Sequence, residues 1–91
     1  MAYMLTRIQV DNYDAWKSVF DSDPANARRE AKGHRIMRGL EDPNEVFIQV
    51  EFDSVEDARS AREQLVASGA LERVNVQNGP TIVELSEAVA Y

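Results

Sequence analysis

The stretch "EDPNEVFIQVEF", residues 41 to 52, decides how the chain folds. Residues 42 to 44 are aspartate, proline and asparagine, a combination typical of tight turns. Residues 45 to 52 alternate apolar with polar side chains and are the most strand-like segment of the chain. Residues 34 to 41 alternate as well. The sequence therefore predicts a β-hairpin formed by strands 34–41 and 45–52.

The segment before the hairpin begins with a strand and a helix. Residues 3 to 10 alternate with period two, which predicts the first strand. Asp11 or Asn12 offers an N-cap, and from Tyr13 the apolar residues recur at helical spacing. The first helix is therefore expected to start at Tyr13.

A proline interrupts the helical pattern, in "SDP" at residues 22 to 24. Because proline is well tolerated in the first turn of a helix, a second helical piece can restart there and run to Lys32. Gly33 would then end this piece, and the second strand would follow it.

The segment after the hairpin repeats the order of helix and strand. Ser54 and Asp57 form the S-x-x-D capping pattern of a second helix, which Gly69 ends, and residues 70 to 74 can add one turn. "NGP" at residues 78 to 80 predicts a turn, and "TIVEL" predicts the last strand. The order β-α-β-β-α-β is the ferredoxin-like arrangement, an α+β fold with an antiparallel sheet and both helices on one face.

The composition excludes several classes of protein. A net charge of −6 would repel a phosphate backbone, so no nucleic acid is expected as a partner. The chain has no cysteine, which excludes disulfides and thiolate chemistry, and no apolar run long enough to span a bilayer. Residues 1 to 91 have room for one domain, and the alternating N-terminus is unlike a signal peptide. A cytoplasmic protein with no membrane partner is expected.

The face of the sheet that turns away from the helices is mixed in character. Aromatic and aliphatic side chains next to charged ones suit an interface or a partly enclosed cavity. We expect a homodimer formed through this face, with a small organic molecule bound in the enclosed space. The residues predicted to line it on the first and third strands are Tyr3, Arg7, Gln9, Phe47, Gln49 and Glu51.

His34, the only histidine, lies where the second strand begins. Pairing Glu41 with Glu45 in the hairpin would oppose like charges, whereas the two neighbouring registers avoid this contact. Those registers place His34 and Arg38 on the mixed face, and one of them sets His34 opposite Glu51. His34 would then be a catalytic acid or base oriented by Glu51, and Arg38 would bind substrate. The alternative is a structural histidine at the start of a strand.

Two further sets of residues each have two interpretations. One is a basic cluster, which could bind an anionic group of the substrate or could merely complement the C-terminus of a helix. The other is an aromatic stripe on the first helix, which would form core, although Trp16 could instead form one wall of a cavity between helix and sheet. The cluster consists of Arg28, Arg29, Lys32, Arg35 and Arg38, and the stripe of Tyr13, Trp16 and Phe20.

Four segments together resemble the dimeric α/β-barrel superfamily, and within it the small antibiotic-biosynthesis-monooxygenase-like, or cyclase-like, bacterial domains. They are "DNYDAWKSVFDSD" (11–23), "ARREAKGHRI" (27–36), "EDPNEVFIQVEFDS" (41–54) and "NGPTIVEL" (78–85). The resemblance implies a homodimer whose two sheets enclose a barrel-like space.

In relatives that space hosts polyketide-quinone oxidation without metal or flavin, haem degradation, or lactone isomerisation. Haem degraders surround haem with an asparagine, a tryptophan and a histidine. No asparagine on the first strand matches, so this triad is not carried over to Trp16 and His34.

Two functions follow from these observations. The first is a dimeric small-molecule-binding protein, as a cofactor-independent monooxygenase or an isomerase or cyclase acting on an aromatic or polyketide-like compound. No cofactor and no metal are expected. The second is a non-catalytic binding or regulatory module that uses the sheet face only as a dimer interface.

Overall fold

The strands form one four-stranded antiparallel sheet in the computed structural model, which describes residues 1–23 and 26–91. The sheet order is β2-β3-β1-β4, so the predicted ferredoxin-like fold is confirmed. The elements in chain order are β1 (Ala2–Gln9), α1 (Tyr13–Ser22), β2 (Ala31–Arg38), β3 (Glu45–Phe52), α2 (Val55–Ala67), a short 3-10 helix (Ala70–Arg73) and β4 (Asn75–Glu84).

The core lies between the two central strands and the helices. Residues of β1 and β3 that pair directly, such as Met4 with Val50 and Ile8 with Val46, are buried together on the helix-facing side. Phe52 is fully buried at the end of β3. Burial of a side chain of this kind contributes about 1.5–3 kcal/mol. Strand alternation therefore assigned the buried sides of β1 and β3 correctly.

Helix α2 is capped as predicted and packs closely on the sheet. The Ser54 hydroxyl accepts a hydrogen bond from the Asp57 amide at 3.1 Å, which satisfies one free donor at the helix start. Ala58 and Ala61 are buried. Such small side chains let the helix approach the strands, so α2 closes its half of the core.

Helix α1 begins where the sequence predicts but packs differently. The Asn12 side chain accepts a hydrogen bond from the Ala15 amide at 2.9 Å and caps the helix. None of the residues of α1 is fully buried. The apolar side of this helix therefore faces an incompletely filled space.

The predicted second helical piece is absent from its described part. Residues 27 to 30 form a turn and β2 already begins at Ala31, whereas the start of the predicted piece, residues 24 and 25, lies outside the described residues. Asp23 ends α1 in a left-handed conformation (φ 46°), and its carboxylate accepts hydrogen bonds from the amides of Ala27 and Arg28. These bonds satisfy the amides in a turn rather than in a helix.

The predicted hairpin register is wrong by one residue. His34 pairs with Val50 and Arg38 with Val46. Because successive side chains of a strand point to opposite faces, a shift of one residue moves every side chain of β2 to the other side of the sheet. His34 and Arg38 therefore lie on the helix-facing side, and the mixed face receives Arg35 in their place.

Gly39 explains this register. Its amide donates to the Glu45 carbonyl at 2.9 Å and closes the loop between β2 and β3. A Cβ atom at this position would lie 2.7 Å from the Asp42 carbonyl oxygen. The loop can therefore fold this tightly only with glycine, and like-charge avoidance at its ends does not decide the pairing.

The predicted turn at residues 78 to 80 is instead part of β4. The pairing of β1 with β4 shifts on both sides of Arg7, which faces Asn78, and this irregularity absorbs the extra residues. A Cβ on Gly79 would lie 2.3 Å from the Leu5 carbonyl oxygen, so the close approach of these two paired strands requires glycine. Strand β4 is consequently longer than predicted.

Candidate functional site

A cavity of about 420 Å³ lies between α1 and the helix-facing side of the sheet. We call it the helix–sheet cavity. Its floor comes from the central strands, one wall from α1, and one end from the segment after α2. The apolar residues that line it include Met4, Ile8, Ile48 and Val50 from the sheet, Ala15, Trp16, Val19 and Phe20 from α1, and Leu71 and Val74 at the end.

Two of the three aromatic residues along α1, Trp16 and Phe20, line this cavity, whereas Tyr13 does not. Trp16 lies 5.7 Å from Tyr13 and 5.1 Å from Phe20, measured between ring centroids, with the rings tilted. All three are only half-buried. Aromatic contacts of this kind hold the rings in register along the helix. Trp16 thus combines both predicted roles: it packs against the buried residues Ile8, Val10 and Val46, and it lines the cavity.

Thr6 places a hydroxyl in the apolar floor of the cavity. It is 8% exposed and is the one buried polar side chain in the described part of the chain. It lies at the centre of β1, opposite Ile48 on β3. The remaining polar and charged lining residues stand at the rim and are Gln9, Asp11, Asn12, Asp23, Arg28 and Arg73.

Arg28 holds the C-terminal end of α1. Its guanidinium carbon lies 3.8 Å above the Phe20 ring centroid, and one terminal nitrogen donates to the Phe20 carbonyl. The Nε atom lies 3.5 Å from a carboxylate oxygen of Asp23. Cation–π and charge-assisted contacts thus occupy this arginine, whose chief effect is to position Phe20.

The predicted basic cluster does not form one patch. Lys32 pairs with Asp53 at 3.2 Å, and Arg35 lies on the face away from the helices, opposite Gln49. The guanidinium carbon of Arg38 lies 3.7 Å above the Tyr13 ring, and its Nε donates to the Pro43 carbonyl at 2.8 Å. Arg38 pairs with Val46 on the helix-facing side, so its predicted place on the mixed face is wrong, whereas its role in binding substrate stays a prediction.

The predicted pair of His34 and Glu51 is not formed. Glu51 pairs with Gly33 and Tyr3 on the mixed face, whereas His34 pairs with Val50 on the opposite side of the sheet. The His34 ring lies edge-on to Phe20, with centroids 5.1 Å apart. Glu51 therefore cannot orient His34, and the catalytic role of either residue remains a prediction.

The mixed face carries a second, shallower hollow of about 520 Å³. We call it the open-face depression. The predicted residues Arg7, Phe47 and Gln49 line it together. Tyr3 and Gln9 lie nearer the ends of β1, and the Gln9 amide donates to Asp42 at 2.9 Å. The other residues at the depression are Leu5, Thr6, Met37, Ile48, Asn78 and Thr81.

Sequence reasoning missed the residues that make the helix–sheet cavity a separate site. Thr6 is the one polar residue on the apolar side of β1. A hydroxyl among buried aliphatic side chains was the sequence signal that could have indicated a polar contact there. Val19 also lines the cavity, and it is 49% exposed. Arg73 lies within the predicted extra turn at residues 70 to 74, and nothing in the local pattern marks it as a residue that lines the cavity.

Within residues 1–23 and 26–91, no three side chains of His, Asp or Glu converge as metal ligands would. None of the helices described there combines the length and the apolar character needed to cross a membrane.

Comparison with known proteins agrees on the fold. No protein-family model matches the sequence, and no curated protein matches it significantly. Among solved structures, the chain is similar to a candidate antibiotic biosynthesis monooxygenase from Chloroflexus aurantiacus J-10-fl, with 12% sequence identity and a TM-score of 0.62. The match covers 99% of this chain and 95% of that one. The chain therefore shares its ferredoxin-like fold with that protein.

Proposed function

We propose that the protein binds a flat, mostly apolar organic molecule in the helix–sheet cavity. The observation that carries this proposal is the cavity of about 420 Å³ between α1 and the sheet, which Trp16, Val19 and Phe20 line although no residue of α1 is fully buried. Pockets of this size, with apolar walls and a few polar groups, are typical of small-molecule sites. An empty apolar space costs stability, whereas a bound molecule restores the missing contacts.

The lining favours an aromatic ligand with one hydroxyl or carbonyl group. Trp16 and Phe20 offer ring faces and edges along one wall, against which an aromatic ring can stack. Thr6 offers the one buried hydroxyl of the floor as a donor or acceptor. A phenol-like or quinone-like compound meets both requirements, in keeping with the family that the sequence resembles.

The reaction to assay first is the oxidation of such a phenol by dioxygen. In that reaction a phenol and one dioxygen molecule give a quinone and one water, so the substrate supplies the electrons. Two considerations support it: the sequence resemblance, and a structural neighbour described as a candidate monooxygenase. The protein would hold the ring flat and exclude water.

A non-catalytic binding module is the second candidate. No histidine, lysine or tyrosine stands among the described residues that line the helix–sheet cavity, so few groups there can transfer a proton near neutral pH. His34 lies behind Phe20 and does not line the cavity. Ligand binding without turnover would identify the protein as this second kind.

We also propose that two copies associate through the mixed face of the sheet. Leu5 and Met37 leave large apolar side chains partly exposed there, at 38% and 48%. A sheet with helices on one side leaves its other face to solvent or to a partner. A second copy would cover these side chains.

Trp16 provides the experiment for the ligand site, because it is the single tryptophan of the chain and lines the cavity. Its fluorescence would be titrated with a panel of hydroxylated naphthalenes and anthracenes and their quinones. Saturable quenching by at least one compound is expected. Val19→Phe should fill the cavity and weaken binding about tenfold or more, a loss of about 1.4 kcal/mol.

Ser18→Phe is the matched control. Ser18 is exposed on the same helix and does not line the cavity, so the added ring should leave affinity unchanged. Equal affinities for Val19→Phe and the unmodified protein would place the ligand elsewhere and refute the proposed site.

A further inference from the structure

Arg7 on the mixed face has a buried nitrogen without a hydrogen-bond partner. Its Nε atom is shielded from solvent and, within the described residues, meets no acceptor. The side chain lies between Phe47 on β3 and Asn78 on β4 and lines the open-face depression. Buried polar atoms in folded proteins are nearly always paired, so an orphaned donor on a charged group requires an explanation.

The irregular pairing of β1 with β4 puts Arg7 in this position. The register shifts on both sides of Arg7, between Leu5 and Arg7 and again between Arg7 and Ile8. Irregularities of this kind redirect a side chain relative to a regular ladder, and they are frequent next to binding sites. Gly79 lets β4 approach β1 closely beside this irregularity, since a Cβ there would lie 2.3 Å from the Leu5 carbonyl oxygen.

The surroundings of Arg7 contain donors but no acid. No carboxylate of the described chain lies within ion-pair distance of its guanidinium, although the chain has 16 acidic residues. The polar side chains that line the depression beside it, Gln49, Asn78 and Thr81, are neutral and can donate hydrogen bonds. Arg35 lies opposite Gln49 on the next strand and adds positive charge to the same face.

We propose that the open-face depression is an anion site in which Arg7 binds a carboxylate. A planar carboxylate matches the fork of a guanidinium and can accept two hydrogen bonds from it. One guanidinium inside the depression balances one negative charge, which favours a monovalent anion. The side-chain amides of Gln49 and Asn78 donate further hydrogen bonds to the same carboxylate. This site is separate from the helix–sheet cavity, on the other face of the sheet.

The carboxylate has two sources with the same chemistry. It is either a free small-molecule carboxylate or an acidic side chain or C-terminus of a second copy of the chain. If two copies cover the mixed face, solvent screens the guanidinium less, and the need for an acceptor becomes greater. In both cases Arg7 is the residue that recognises the negative charge.

The test observes the Nε–Hε signal of Arg7 directly in a ¹⁵N-labelled sample by NMR. The signal is assigned by its loss in Arg7→Lys, which keeps the charge and most of the aliphatic stem. Sodium acetate then replaces sodium chloride at constant ionic strength. A free-anion site predicts a saturable shift of the Arg7 signal, accompanied by the side-chain amides of Gln49 and Asn78.

A carboxylate from a second copy gives a different result that also supports the proposal. The Arg7 signal is then already displaced without acetate, and it returns toward the values of free arginine on dilution. Arg59→Lys is the charge-matched control, because Arg59 is exposed on α2 and this substitution should leave either response unchanged. Val19→Phe should also leave it unchanged, which separates this site from the ligand cavity.

An Arg7 signal that responds neither to acetate nor to dilution overturns the proposal. In that case water alone occupies the depression. The responses to acetate and to dilution are measured on the unmodified chain, and Arg7→Lys serves only to assign the signal. An acetate response of the same size in exposed arginines also contradicts it, because the effect is then one of general ion binding.

Discussion

The imidazole of His34 lies edge-on against the ring of Phe20, with the two centroids 5.1 Å apart and the planes at 80°. Phe20 lines the helix–sheet cavity, whereas His34 does not. The only histidine of the chain thus packs against Phe20 of the cavity wall without lining the cavity itself. Together with Arg28, which covers the ring from another side, it sets the position of Phe20 in the cavity wall.

His34→Ala should therefore lower stability slightly and leave ligand affinity nearly unchanged. An aromatic pair contributes about 0.5–1.5 kcal/mol, and the exposure of His34 places the expected loss at the lower end. Urea denaturation and the fluorescence titration would measure the two quantities. His34→Phe, which keeps an aromatic edge, should restore stability. A tenfold or greater loss of affinity in His34→Ala would contradict this expectation and show that the histidine contributes to ligand binding.

Thr6→Val removes the hydroxyl in the cavity floor at almost constant volume. If a ligand oxygen bonds to this hydroxyl, affinity should fall by about 2- to 12-fold, because a neutral hydrogen bond contributes about 0.5–1.5 kcal/mol. The free energy of unfolding should not decrease, since a buried polar group without a ligand is replaced by an apolar one. Isothermal titration calorimetry measures the affinity.

The control for this change is Thr81→Val, which removes a hydroxyl from the other face of the sheet. It should not alter ligand affinity. An unchanged affinity in Thr6→Val would show that the floor of the cavity makes no polar contact with the ligand.

Gly39→Ala should destabilise the fold by about 1–3 kcal/mol, the usual cost of forcing an extra carbon into a packed site. The added Cβ would lie 2.7 Å from the Asp42 carbonyl oxygen and would open the hairpin loop. Gly33→Ala is the matched control, since a Cβ there meets nothing within 4 Å. Urea denaturation of both variants gives the comparison, and an equal effect in the two would show that Gly39 does not set the loop.

The hairpin shows where sequence reasoning succeeds and where it fails. Strand β3 occupies the predicted residues 45–52, because its alternation is regular and one side is buried. The facing of β2 was predicted wrongly, because it depends on the register, and the register depends on a close approach at Gly39 that no periodicity reveals. An error of one residue in the predicted register therefore placed His34 and Arg38 on the wrong side of the sheet.

The site was predictable in part for the same reason. Arg7, Phe47 and Gln49 lie at one depression as expected, because they belong to the two strands with regular alternation. The helix–sheet cavity depends on how far α1 stands from the sheet. Helical spacing of Trp16 and Phe20 predicts which side of the helix is apolar, but not whether that side is filled by core or by a ligand.

The proposed dimer predicts that a charge on the mixed face separates the copies. Met37 is 48% exposed there, and Met37→Lys would place an ammonium group between the two sheets at a high desolvation cost. Lysine serves better than glutamate, because a carboxylate could pair with Arg7.

Sedimentation velocity at micromolar concentration should show a dimer for the unmodified chain and a monomer for Met37→Lys. Val66→Lys, at an exposed apolar position on α2, should remain dimeric. A monomeric unmodified chain would refute the dimer. A dimeric Met37→Lys would show that the two copies associate through a surface other than the mixed face.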